Sequence, residues 1–88
     1  MNKKLHEVMQ REWDDFEINI QWLKDTFKSL RDELKELKKH KKDKEWNLAA
    51  FSAYDIADTL DSLIYWATEV KRDLGTLEYL FEELAEND

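Results

Sequence analysis

The residues best suited to chemistry in this chain are its carboxylates. Asp55, Asp58 and Asp61 stand at three-residue steps, a spacing that could offer several oxygens from one helix to a hard cation. Steps of three, however, carry successive side chains round the helix, so the trio turns to solvent and does not converge. His6 and His40 sit near opposite ends of one periodic segment, and neither has a further ligand at metal spacing. Ser29, Ser52 and Ser62 lie on helical positions, without the strained elbow that exposes a nucleophile. No cysteine is present, which removes thiolate catalysis, thiolate metal sites and disulfides together. The expectation is a chain with no catalytic residue, no metal and no cofactor, and so not an enzyme.

Recognition by charge is the next chemistry to weigh. Residues 1–34 carry 6 basic and 8 acidic groups, residues 35–45 carry 6 and 3, and residues 46–88 carry 2 and 10, so regional nets of −2, +3 and −8 make up the total of −7. Binding to nucleic acid needs a basic face that displaces phosphate counterions. Only the cluster Lys38, Lys39, His40, Lys41 and Lys42 answers that description, and a nucleic-acid partner is therefore discounted. The acidic residues Asp55, Asp58, Asp61, Glu69, Glu78 and Glu82 suggest the converse, a carboxylate ladder that imitates phosphates and blocks a nucleic-acid-binding protein. We hold this as an alternative to the plainer reading, a solvated face of a coiled coil.

The elements that carry these groups are helices. The chain has no proline and one glycine, Gly75, so the punctuation of strands and tight hairpin turns is missing. Charged residues are 40% and apolar residues 42% of the 88, a mixture typical of solvated helices with an apolar stripe. Along the first half, Met9, Trp13, Phe16, Ile20, Leu23, Phe27, Leu30, Leu34 and Leu37 alternate steps of four and three, with His6 extending the line. Trp46, Ala49, Ala53, Ile56, Leu60, Leu63, Ala67, Val70, Leu74, Leu77, Phe81 and Leu84 do the same in the second half. Such spacing marks a coiled-coil seam.

The seam lapses in KKHKKDKEW, where Asp43 or Asn47 offers a cap for a second helix. A single domain over 1–88 is expected, with a helix at about 3–41, a basic turn at about 42–46 and a second helix at about 47–86. An antiparallel seam pairs residues whose numbers add to a constant. A total of 90 uses every seam residue and sets Leu37 against Ala53, Leu30 against Leu60, and Met9 against Phe81. A total of 83 also keeps the phase but leaves Phe81 and Leu84 overhanging. Gly75 either passes within the helix at a cost near 1 kcal/mol or ends it, giving three helices.

Two helices alone bury little, whereas apolar residues abound off the seam. Ile18, Trp22, Ile64, Tyr65, Trp66, Tyr79 and Leu80 are the candidate partner-binding set. They imply either a homodimer, closing a four-helix bundle, or docking to another protein. No apolar run is long enough to cross a membrane and MNKKLHEV has no signal-like core, so a cytoplasmic location without membrane contact is expected. Glu82, Glu83 and Glu86 are similar to the EExxE stretch of helical nucleotide pyrophosphohydrolases, which need further acidic ligands on a following helix; this chain ends at Asp88, and the match is read as chance. Trp46 at the turn, with Tyr79 and Glu83 in YxxxE spacing, resembles small secreted WXG-type helical hairpins, although Asn47 and Leu48 follow the tryptophan and the motif's glycine is missing. That resemblance implies a secreted hairpin as a further alternative. The preferred expectation is a small acidic helical regulator or inhibitor that binds a partner protein without catalysis.

Overall fold

In the computed structural model, which describes residues 3–87, the chain is an antiparallel hairpin of two helices, α1 (Lys3–Lys42) and α2 (Trp46–Asn87). Forty and forty-two residues long, they match each other and make a rod of 65 × 15 × 14 Å. The helix runs unbroken through Gly75, which overturns the three-helix alternative. Nothing lies within 4 Å of a β-carbon built there, so the glycine answers no steric need.

The turn needs only Asp43, Lys44 and Glu45. Lys44 adopts the left-handed conformation, φ 58°, and two backbone bonds wrap the end of α1: Glu45 N donates to His40 O at 2.9 Å and Lys44 N to Lys41 O at 3.2 Å. This is the paired closure of a Schellman motif, with lysine where glycine is usual. Lys39, His40, Lys41 and Lys42 occupy the last turn, where cations meet the negative end of the helix dipole. Glu45 begins α2 by accepting from Ala49 N at 2.9 Å, and its carboxylate meets His40 Nδ1 at 3.1 Å. Neither Asp43 nor Asn47 caps α2 as the sequence suggested; the Schellman closure leaves Glu45 as the residue that enters the helix.

Bonds between the helices fix the register. Asn19 Nδ2 donates to Asp73 Oδ2 at 2.7 Å, and Thr59 Oγ1 to Glu33 Oε1 at 2.6 Å, both totals being 92. Trp22 stacks on Trp66 with centroids 5.6 Å apart and a total of 88. These values bracket 90 and exclude 83.

The rotation of each helix differs from the expected seam. Met9, Phe16, Leu23, Leu30 and Leu37 face α2, and Ala49, Ile56, Leu63, Val70, Leu77 and Leu84 face α1, as the heptads imply. The second inward line is another matter. Glu12, Asn19, Thr26, Glu33 and His40 turn toward α2, while Phe27 and Leu34 lie open at 51% and 38% exposure. On α2, Ser52, Thr59, Trp66, Asp73 and Leu80 turn inward, and Leu60, Leu74 and Phe81 stand outside. Each helix is rotated by about 50°, one heptad position, from the rotation that would bury its whole apolar stripe. Among the described residues, buried hydrophobic side chains are confined to Val70, Leu77, Leu80 and Leu84.

Candidate interaction surfaces

Viewed down its length, the hairpin has two unlike sides. One is polar. At its open end, Glu12, Asp15, Asn19, Arg72 and Asp73 line a shallow pocket of about 360 Å³. Asp73 is only 4% exposed yet satisfied, since Asn19 donates to it and the Glu12 carboxyl hydrogen-bonds to it as well. Desolvation, that hydrogen bond, and the charges of Asp73 and Asp15 raise the Glu12 pKa above its ordinary 4.5, with Arg72 opposing. When protonated, the Glu12 carboxyl donates to the Asp73 carboxylate and relieves the repulsion between them. Arg72 itself is paired with Glu69.

Further along the polar side come the Trp22–Trp66 stack, with Tyr65 edge-on to Trp66 at 4.9 Å, and then the Thr59–Glu33 bond. His40 closes the row between Glu36 at 3.5 Å and Glu45 at 3.1 Å. Among the described residues no group of three or more His, Asp or Glu is placed to hold a metal ion.

The other side is apolar. Trp13, Ile20, Phe27 and Leu34 recur every seven residues on α1, as do Trp46, Ala53, Leu60, Ala67, Leu74 and Phe81 on α2. A single heptad phase puts each set on one line of its helix, and the two lines run side by side. Ala50, Ala57 and Ile64 widen the α2 border, and an open apolar groove of about 540 Å³ lies along Leu74, Leu77 and Phe81.

The sequence-chosen partner residues do not make one patch. Trp22, Tyr65 and Trp66 do cluster, but Trp66 is half-buried against Trp22 and is spent within the hairpin. Leu80, read as an outer residue, is instead buried at 5%, because the rotation of α2 carries it into the seam. Ile18 is exposed at the rim of the polar pocket, Tyr79 is exposed on the back of α2, and Ile64 lies on the apolar side. The acidic residues also scatter: Asp58 and Asp61 cover the back of α2, Asp55 and Glu69 lean to the polar side, and Glu78 and Glu82 border the apolar one. Sequence reasoning missed the apolar side as a surface because it had assigned those same residues to the seam. It also passed over Phe51 and Tyr54, 68% and 72% exposed on α2 beside the turn.

Comparison with known protein families, with curated proteins and with solved structures finds no match to this chain.

Proposed function

We propose that this protein is a non-enzymatic interaction module, a small helical regulator or inhibitor that acts by packing its apolar side onto the helices of another polypeptide. One observation carries the reading: Phe27, Leu34, Leu60, Leu74 and Phe81 are exposed along the heptad line of each helix, while polar Thr26, Glu33, Ser52 and Thr59 face the partner helix, Ser52 buried and the others half-buried. A large contiguous apolar face is uncommon on a solitary domain and marks a contact surface. The grooves of the molecule are open and shallow, which suits contact with a macromolecule better than capture of a small substrate. Carboxylates spread over the back of α2 do not favour an imitation of the phosphate ladder.

The test is affinity capture of the tagged protein with its partners from the source cell. Phe27→Glu and Leu60→Glu should abolish capture, and Asp58→Asn on the back of α2 should leave it unchanged. Capture that survives both apolar-side variants would refute the assignment.

A further inference from the structure

Resting on that reading, we infer that the occupant of the apolar side is a second copy of this chain, laid face to face with its turn at the opposite end. The rotation of the helices gives the first argument. In a four-helix bundle each helix has two neighbours at right angles, and its apolar stripe points along the diagonal, about 45° from either contact. Here the stripe is turned about 50° from the contact within the hairpin, always toward the same side. One half of the bundle is present, and its rotation leaves room for another half of the same kind.

The spacing of the apolar line identifies that half. On α2, beyond Trp46 at the turn, the line Ala53, Leu60, Ala67, Leu74 and Phe81 is centred on Ala67, which is also the midpoint of the helix (Trp46–Asn87). A two-fold axis through Ala67 sets Ala53 against the partner copy's Phe81 and Leu60 against its Leu74, so small faces large and the crossing point carries two alanines. At a register near 90 the same axis meets α1 beside Leu23 and brings Ile20 against Phe27 of the other copy and Trp13 against its Leu34. A 65 × 15 Å face offers on the order of 1,000 Å² per copy, the range of stable dimers.

Charge chooses the direction. With both turns at one end, two segments of net +3 would lie together, and so would two acidic C-terminal segments. Opposed turns set each basic turn beside the other copy's Glu82, Glu83 and Glu86 instead, which favours association.

The chain has no cysteine, so single cysteines report geometry directly. Ala67→Cys, oxidised at low micromolar concentration, should yield a covalent dimer in high proportion, because residues at the axis come within disulfide reach. Ala53→Cys should not cross-link, since its two copies lie about 40 Å apart at the helical rise. Sedimentation should give twice the chain mass. Crosslinking at Ala53→Cys in place of Ala67→Cys would overturn the opposed-turn arrangement. A monomer throughout would overturn the second copy; if Phe27→Glu still abolished capture of another protein, the apolar-side reading would stand alone, and a dimer indifferent to Phe27→Glu would remove both.

Discussion

The open end of the hairpin and its turn end are built from the same heptad pattern but hold together differently. Toward the open end, Val70, Leu77, Leu80 and Leu84 are buried against the first half of α1, with Leu77 at 1% exposure. Toward the turn no hydrophobic side chain is fully buried; Glu33, Thr59, Ser52 and His40 fill the inward line, and Trp46, Leu48, Phe51 and Tyr54 are all exposed. Stability within one copy should therefore be concentrated at the open end and fade toward the turn. The difference teaches that a continuous heptad does not imply a uniform core. Where the second inward line is polar, a hairpin keeps its alignment by specific bonds and leaves its apolar residues for another surface.

The sharpest way to break this comparison is to remove one leucine at each end. Leu77→Ala should cost about 3 kcal/mol, the loss of a fully buried side chain plus the cavity it leaves. The half-buried Leu37 near the turn, changed to alanine, should cost only about 1 kcal/mol. Urea unfolding at one fixed protein concentration measures both, since any association adds to apparent stability. Equal losses would show that the core is as continuous as the heptads.

A smaller effect tests the polar bonds of the turn half. Thr59→Val removes the donor that meets Glu33 at 2.6 Å and 3.0 Å, leaving a part-buried carboxylate short of a partner, at a cost of about 1 kcal/mol. Adding Glu33→Leu to that variant should restore the loss or exceed it, because both inward groups are then apolar. A double-mutant cycle read by thermal unfolding isolates the pair. No coupling between the two positions would mean that the bond does not hold Glu33 inward.

Backbone substitutions should shift stability by similar or lesser amounts in the opposite direction. Lys44→Gly relieves the left-handed strain in the turn, and Gly75→Ala removes a helix-interior glycine in open space; each should add up to about 1 kcal/mol. In a domain of this size that raises the melting temperature by about 4–8 °C. Neither change should disturb association, since Lys44 lies in the turn and Gly75 on the back of α2.

Much of this fold is legible in the sequence. Missing proline and matched apolar periods give two equal helices, the lysine-rich lapse gives the turn, and the totals of paired residue numbers give the register. The rotation is not legible, for a physical reason: a heptad stripe adds together every apolar surface a helix will bury, whether inside its own hairpin or against another molecule. Phe27 and Leu34 count equally toward both. Their place outside is decided by Asn19 with Asp73, Thr59 with Glu33 and Trp22 on Trp66, contacts between individual side chains that a pattern of apolar and polar does not contain. Leu80 was misplaced for the same reason, being one step from the expected line.

The subtlest difference between the ends is their response to pH. Glu12 and Asp73 bring two carboxyls into contact at the open end, where burial and neighbouring negative charge raise the Glu12 pKa above 4.5. A carboxyl with a raised pKa binds its proton more tightly folded than unfolded, so its contribution is complete below about pH 4.5 and is lost as pH climbs through the folded value. Local stability around Val70–Leu84 should thus fall on going from about pH 4.5 upward, relative to the half that holds Thr59 and Glu33. Amide exchange corrected for its intrinsic pH dependence resolves the two ends separately. Glu12→Gln supplies a permanent donor to Asp73 without the titration, and it should flatten the open-end response while leaving the turn end as it was. If the wild-type protein and Glu12→Gln show the same pH profile at the open end, protonation of Glu12 does not stabilise that end, and the contrast between the two ends rests on packing alone.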